Sequence, residues 1–211
     1  MKNFEIICNN LSKSFSGKTI FKNLNFTVST AQSLSITGKN GSGKSTLLKI
    51  IANLIHPSKG NISVLENNME IPLEKRFNKL GYLSPYLNLY DELTGFENLN
   101  FFLSLKASSK KKFTEQSNLL LQKVNLFEKR NEQLKNYSSG MKQRLKIAFA
   151  IMNDPEILIM DEPGTNLDKQ GIDMIYEICR EQKKNGILLI ATNNDDDKEL
   201  CDQTLNIEDY R

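Results

Sequence analysis

The chain has 211 residues, 39% of them hydrophobic and 25% charged, as in an ordinary globular protein, and no stretch approaches the ~20 apolar residues of a membrane span. Its formal net charge of +3 is too small to indicate a nucleic-acid-binding protein, so no nucleic acid is expected as a partner. Three scattered cysteines without paired or metal-like spacing predict reduced thiols rather than a disulfide framework.

The first part of the chain predicts β structure over residues 4–37. Leu24, Phe26 and Val28 alternate with polar residues, which is the pattern of a half-buried strand. Phe15 lies in a turn-prone stretch, where its ring would either pack in a core or lie open for a base to stack on. Two further strands are predicted over 60–65 and 80–83, the first followed by a hairpin turn at Asn67-Asn68.

A glycine-rich loop of the form G-x-x-x-x-G-K-S, followed by Thr46, lies between the strand at 34–37 and a predicted helix. Strand, loop and helix in this order are the context of a phosphate-binding P-loop, in which backbone N–H groups and the helix N-terminus face the phosphates. Lys44 adds a positive charge for the β- and γ-phosphates, and the Ser45 hydroxyl suits Mg²⁺. The predicted nucleotide-binding residues of the loop are Gly38, Lys39, Asn40, Gly41, Ser42, Gly43, Lys44, Ser45 and Thr46.

Residues 84–153 predict a mainly helical block. Thr94 and Glu97 fit a capping box at the start of a helix over 96–106, and further helices are predicted over 113–124 and 141–153. The basic run 110–112 follows two serines, which favours a solvated loop over a phosphate- or lipid-binding patch.

Two compact apolar runs, 157–160 and 187–191, predict buried strands of a parallel sheet that is covered on both faces. Between them a helix is predicted over 169–184, closed by Gly186 as its C′ residue.

Polar side chains follow both strands. Since ligands of open α/β sheets bind at the carboxyl ends of the strands, we expect these side chains to meet the P-loop nucleotide. Asp161 is placed to position Mg²⁺, and Glu162 to orient and polarise an attacking water. Thr192 and Asn193 follow the second strand.

In this order the motifs resemble those of the ABC-type ATPases, the nucleotide-binding subunits of ABC transporters, from Leu11 to about Ile207. Residues 137–144 resemble the family signature L-S-G-G-Q-x-x-R and keep Ser138 and Gly140. The signature residues that differ are Tyr137, Ser139 and Met141, which stand for Leu, Gly and Gln. Asp168 matches the end of the family's D-loop, and Phe15 stands where the family has its adenine-stacking aromatic residue.

Two departures from the family concern the γ-phosphate. By spacing, Pro85 occupies the position of a glutamine that ligates Mg²⁺, and proline offers only its carbonyl. Asn193 occupies the position of the switch histidine and keeps a hydrogen-bond donor without a positive charge. The resemblance therefore implies a catalytic set of Lys44, Glu162 and Asn193 that hydrolyses ATP slowly.

The resemblance implies an α/β fold with a P-loop, RecA-like core around a mostly parallel sheet. An N-terminal antiparallel β subdomain and an inserted helical subdomain complete it. We expect the core to comprise 1–83 and 154–211, and the helical subdomain, which carries the signature, to comprise 84–153.

The resemblance to the ABC-type ATPases further implies ATP and Mg²⁺ as cofactors, with Ser45 and Asp161 at the metal. The family works as a homodimer or heterodimer in which Ser138, Ser139 and Gly140 contact the ATP held by the partner, with Asp168 at the dimer interface.

A separate transmembrane permease is expected to dock near residues 84–106, which places the chain in the cytoplasm, peripherally on the cytoplasmic face of the membrane. The candidate docking residues, which packing in the subdomain core would equally explain, are Phe96, Phe101, Phe102 and Leu103. The leading hypothesis is the ATP-hydrolysing subunit of an ABC transporter, of a kind that resembles the short haem-exporter type. The alternatives are a soluble ABC ATPase of assembly or regulation, and an ATP-gated module that barely hydrolyses.

Overall fold

The structure is a computed structural model that describes residues 2–105 and 110–211. Its strands form two sheets, one antiparallel and one parallel. The strands are β1 (Phe4–Phe15), β2 (Lys18–Ser29), β3 (Ser33–Thr37), β4 (Lys59–Glu66), β5 (Met69–Glu70), β6 (Leu80–Leu83), β7 (Ile157–Asp161), β8 (Ile187–Ala191) and β9 (Gln203–Asn206).

The antiparallel sheet has the order β2-β1-β4-β5 and is built from two hairpins. Ser16 and Gly17 join β1 to β2 with φ of 47° and 81°, and Asn67 and Asn68 join β4 to β5 with φ of 51° and 66°. Two successive residues with positive φ are the requirement of the turn type whose twist matches that of the flanking strands. The predicted hairpin at Asn67-Asn68 is therefore confirmed.

The parallel sheet has the order β6-β7-β8-β3-β9. Strands β3, β7 and β8 are buried at every position. The continuous apolar runs of β7 and β8 predicted such a sheet, covered on both faces. Since the strands run parallel, the segments that follow β3, β7 and β8 all leave from the same edge of the sheet.

The helices pack around this sheet, and three of them lie in the predicted helical block. The helices are α1 (Lys44–Ile51), α2 (Leu73–Arg76), α3 (Gly95–Ser104), α4 (Lys110–Lys123), α5 (Ser139–Ile151), α6 (Lys169–Asn185) and α7 (Asp195–Glu199). The Thr94 hydroxyl accepts from the N–H of Glu97 and the Glu97 carboxylate accepts from the N–H of Thr94, so the capping box of α3 is confirmed. Lys106, at the end of the helix predicted there, lies outside the described residues.

One local prediction was wrong. The basic run 110–112 begins α4 instead of forming a loop, because lysine is a good helix former and no glycine or proline interrupts the run. Gly186 directly follows the last residue of α6, as predicted for the glycine that closes this helix, and its backbone is extended, with φ −131° and ψ −170°. A Cβ there would lie 2.7 Å from the carbonyl oxygen of Glu156, so close backbone approach explains this glycine.

Two hydrophobic clusters cover the two faces of the parallel sheet. On one face, α1 and the antiparallel sheet pack against alternate residues of the central strands, among them Ile159 and Leu189. On the other face, α3, α4, α5 and α6 pack against the intervening residues, among them Leu158 and Leu188. The fold is therefore the predicted α/β layering, while the domain boundaries at 84 and 153 stay a prediction.

A helix that crosses a bilayer needs about 20 mostly apolar residues. Within 2–105 and 110–211, every helix is too short or too polar to cross a membrane.

Candidate nucleotide-binding site

The P-loop connects the carboxyl end of β3 to the first turn of α1. Gly43 is the N-cap residue of α1 and adopts a left-handed conformation with φ 113°, where a side chain would also strike Ile20. Because this cap residue is a glycine, it supplies no side-chain acceptor to the N–H groups of the first turn. The loop therefore presents the positive end of α1 to a phosphate.

The Lys44 side chain is nearly buried and lies across the loop. Its Nζ donates to the carbonyl oxygen of Gly38 at 2.6 Å and to Oδ1 of Asn193 at 3.2 Å. The Nδ2 of Asn193 donates in turn to Oδ1 of Asn40 at 2.9 Å. The structure thus brings Asn193 to the P-loop from the end of β8, as the strand-edge argument predicted.

Asp161 is the last residue of β7 and Glu162 follows it, at the same edge of the sheet. Asp161 is 2% exposed, and its Oδ2 has no hydrogen-bond partner among the described residues. Burial raises the pKa of this carboxyl group, and a hydrogen bond from Ser45 opposes that rise. Glu162 has φ 49°, a conformation that costs a non-glycine residue free energy, and its N–H donates to the carbonyl oxygen of Ala191 at 2.9 Å.

A cavity of about 410 Å³ joins these groups. Its lining comprises Ile20, Asn40, Gly41, Ser42, Gly43, Lys44, Ser45, Thr46, Pro85, Tyr86, Asp161 and Glu162. A larger cavity of about 510 Å³ lies between α4 and α6, but it lies away from the P-loop, and the carboxylates of Asp154, Glu156 and Glu181 in its lining outnumber the one basic side chain among the described residues there, Lys123. The chemistry of anion binding therefore favours the smaller cavity.

The loop after β6 contributes two residues to this cavity. The carbonyl oxygen of Pro85 accepts from Nζ of Lys146 on α5 at 2.7 Å, and the Nζ of Lys49 on α1 lies 5.0 Å from the ring centroid of Tyr86. Sequence reasoning identified Pro85 by its spacing but missed Tyr86, Lys49 and Lys146. A tyrosine directly after the atypical proline was the signal available in the sequence.

Phe15 ends β1 and is 47% exposed, so its ring lies open instead of packing in the core. The Nζ of Lys13 lies 4.6 Å from the ring centroid, within the range of a cation–π contact. Of the two arrangements that the sequence left open, the structure has the one that permits stacking of a base.

The signature segment lies at the start of α5, away from this cavity. Ser138 is the N-cap residue of α5 and accepts from the N–H of Met141 at 3.2 Å. A Cβ on Gly140 would lie 2.9 Å from the carbonyl oxygen of Asn166, so the signature glycine packs against the segment that ends in Asp168. Ser138 and Ser139 are exposed, and neither they nor Gly140 line the cavity formed by the described residues of the same chain.

An ion pair continues this contact between α5 and α6. Arg144 donates to Oδ1 of Asp168 at 2.6 Å, and the same oxygen accepts from the N–H of Gly171 to cap α6. The Gly171 N–H, and after it Arg144, lower the pKa of Asp168. Asp168 is therefore held as a carboxylate at neutral pH.

The aromatic residues of α3 divide between surface and core. Phe101 is 43% exposed and makes edge contacts with Tyr90 and Phe102, whose ring centroids lie 5.6 and 5.2 Å away. Phe96 and Phe102 are half-buried, and Leu103 is buried. Leu103 is thus a core residue, whereas Phe101 remains accessible.

Comparisons with known proteins agree with this geometry. A family model described as ABC transporter matches residues 21–165. The chain is 36% identical over 196 residues to the uncharacterized ABC transporter ATP-binding protein YxlF of Bacillus subtilis (strain 168), covering 92% of this chain and 65% of the relative. It is 32% identical to the linearmycin resistance ATP-binding protein LnrL of the same strain, covering 92% and 63%.

The chain therefore spans slightly less than two thirds of the length of these curated relatives. Among solved structures, it resembles a dimeric post-hydrolysis state of the ATP-binding cassette MJ0796 bound to ADP and Pi, with a TM-score of 0.85 and 25% identity, covering 96% of this chain and 94% of that one. Since the family model matches well over half of its residues, the chain belongs to the ABC transporter family.

Proposed function

We propose that this chain binds and hydrolyses ATP as the nucleotide-binding subunit of an ABC transporter. Family membership implies ATP hydrolysis in general. The observation that carries the proposal is the convergence of Lys44, Asp161 and Glu162 around one P-loop cavity, with Asn193 bound to Lys44. A cation, two carboxylates and a hydrogen-bonding amide at a phosphate loop suit phosphoryl transfer to water.

The residues at this cavity fit Mg²⁺. A buried oxygen without a partner, such as Oδ2 of Asp161, costs about 1–3 kcal/mol, which a bound cation with its waters would offset. Carboxylate and hydroxyl oxygens, from Asp161 and Ser45, are the donors that this ion prefers. When bound, Mg²⁺ would neutralise charge on the β- and γ-phosphates.

Each side chain then has a distinct task. Lys44 and the backbone N–H groups of the P-loop hold the phosphates. The carboxylate of Glu162 orients and polarises the attacking water, and the amide of Asn193 donates to a γ-phosphate oxygen. Phe15 stacks on the adenine.

The proposed hydrolysis is slow. Pro85 has no side-chain ligand to offer, and its carbonyl is bound to Lys146. Asn193 supplies a neutral donor instead of a charged one. Loss of one donor to the transition state typically lowers kcat by about 100–1,000-fold, of which Asn193 recovers a part.

We propose that two ATPase subunits, identical or related, enclose two ATP molecules. Ser138, Ser139 and Gly140 are not among the described residues that line the cavity of their own chain, which supports a role at the ATP of the partner. A two-fold interface repeats this contact at both sites, with Asp168 close to the boundary. The dimeric state of MJ0796 supports the same arrangement.

We also propose a separate transmembrane permease that docks near residues 84–106. The accessible ring of Phe101 supports this location. The chain would then lie in the cytoplasm on the inner face of the membrane, with 1–83 and 154–211 as its ATPase core and 84–153 as the helical subdomain that meets the permease.

Phosphate release tests the activity. Purified protein in Mg-ATP should release phosphate slowly, and Lys44→Ala should release at least about 100-fold less, because the charge on the β- and γ-phosphates is lost. Release equal in the two proteins would refute the ATPase.

Size-exclusion chromatography tests the dimer. Glu162→Gln should bind ATP without cleaving it and elute as a dimer at saturating Mg-ATP, with Lys44→Ala as the monomeric control. A Glu162→Gln protein that stays monomeric would refute the ATP-bridged dimer. Recovery of the tagged chain in a membrane complex would support the permease, whereas recovery in a complex that persists without detergent would favour assembly or regulation.

A further inference from the structure

One carboxylate of α7 is buried although its neighbours are exposed. Asp197 is 3% exposed, whereas Asp195 and Asp196 face solvent. Its Oδ2 accepts from the hydroxyl of Thr192 at 2.6 Å, and its Oδ1 accepts from the hydroxyl of Tyr176 at 3.1 Å. A buried carboxylate is costly unless it is hydrogen-bonded, and here each oxygen accepts one hydroxyl.

These bonds fix both neighbours of Asn193. The Thr192 hydroxyl accepts from the N–H of Asn194 at 3.0 Å, and the N–H of Thr192 donates to the carbonyl oxygen of Ile36 on β3 at 3.1 Å. Thr192 itself is 2% exposed. The backbone on each side of Asn193 is therefore tied to the sheet and to Asp197.

Tyr176 extends the network to another part of the site. It lies on α6, the helix that begins at the D-loop residue Asp168. Burial, and after it the charge of Asp197, raise the pKa of Tyr176, so its hydroxyl stays protonated and donates at neutral pH. The network thus joins α6 to the loop that carries Asn193.

We infer that Asp197 is a positioning residue for the proposed ATP hydrolysis. By accepting the hydroxyls of Thr192 and Tyr176, it holds the loop after β8 so that the amide of Asn193 lies between Lys44 and Asn40. The inference rests on the proposed function, because Asn193 matters only if ATP is cleaved here.

The expected effect follows from this geometry. Release of the loop would misplace Asn193 at the γ-phosphate, and a displacement of about 1 Å can lower a rate by about 100-fold. Binding of ATP depends mainly on the P-loop backbone and on Lys44, which Asp197 does not contact. Variants of the network should therefore lower kcat and leave KM nearly unchanged.

A double-mutant cycle in full-length protein tests the inference. Asp197→Ala should lower kcat about 10- to 100-fold, and Asp197→Asn, which keeps one acceptor, should recover much of the loss. In the Asn193→Ala background the same changes should have almost no effect, because the group that they position is gone. Asp195→Ala, which removes an exposed carboxylate of the same helix, should match wild type. Losses that multiply in the double mutant would overturn the inference.

A spectroscopic experiment tests the positioning of Asn193 independently of ATP hydrolysis. In ¹⁵N-labelled protein without nucleotide, Tyr176→Phe should shift the side-chain amide signals of Asn193, identified by their loss in Asn193→Ala. Tyr176→Phe removes one hydroxyl and keeps the ring, so it also serves if Asp197→Ala does not fold. Unmoved signals would overturn the positioning role whether or not the protein cleaves ATP. Shifted signals in a protein without ATPase activity would uphold the positioning and refute the proposed function.

Discussion

Replacement of Asn193 by histidine should accelerate hydrolysis if this position limits the rate. The Asn193 side chain is exposed and bridges Lys44 and Asn40 at 3.2 and 2.9 Å, so an imidazole has room at the same place. A hydrogen bond to a charged group contributes about 1.5–3 kcal/mol and a neutral one about 0.5–1.5 kcal/mol. A difference of about 1.4 kcal/mol in the transition state corresponds to a rate about 10-fold higher.

The gain should depend on pH with a definite sign. An imidazole has an ordinary pKa of about 6.5, and only its protonated form carries the charge. The γ-phosphate offsets the repulsion between that charge and Lys44. The rate ratio of Asn193→His to wild type should therefore be about 10 near pH 6 and approach 1 as pH rises towards 8.5, since asparagine does not titrate.

Phosphate release at saturating Mg-ATP between pH 5.5 and pH 8.5 measures this ratio, with ATP affinity determined in parallel. Asn193→Ala serves as the control, because it has no donor and should be slower than wild type at every pH. A ratio that does not change with pH, or one at or below 1 near pH 6 with ATP affinity intact, would refute the role assigned to this position.

Two further predictions concern stability. A Cβ on Gly81 would strike the carbonyl oxygen of Ala150 and lie 2.7 Å from Pro155. Gly81→Ala should therefore lower the free energy of unfolding by about 3 kcal/mol and Tm by roughly 6–12 °C in a thermal unfolding scan. Thr94→Ala removes the hydroxyl that caps α3 and should lower the free energy of unfolding, measured with denaturant, by about 1 kcal/mol. Thr94→Ser keeps the hydroxyl and should leave the free energy of unfolding nearly unchanged. Equal losses of stability in both variants would contradict the capping role.

The sequence predicted those elements that are determined by interactions between residues close together in the chain. The strand over 80–83 and the capping box at Thr94 were found at the expected residues. Gly186 was found at the end of α6 as predicted. The approach of the Glu156 carbonyl, a second reason for glycine there, could not be predicted from local sequence because Glu156 is distant along the chain.

In the candidate site, too, some residues could be predicted from the sequence and others could not. The P-loop directly follows β3, Asp161 ends β7 and Glu162 follows it, so parallel pairing of the strands brings these residues together. Asp197 could not be identified from the sequence, since three successive aspartates on a short segment indicate a solvated acidic run. Only the packing of α6 against the end of β8 buries the third of them and supplies its two hydroxyl partners.

The contact of α5 with the segment before α6 has a consequence for how two subunits would communicate. Gly140 lies close to the Asn166 carbonyl and Arg144 pairs with Asp168, so a displacement of the signature serines would disturb contacts with the D-loop. Through Lys146, the same helix also holds the loop at Pro85 that lines the nucleotide cavity. In the proposed dimer, α5 would contact the nucleotide site of its own subunit through the loop at Pro85 and that of the neighbouring subunit through the signature residues. A change at either site would then be transmitted to the other through this helix.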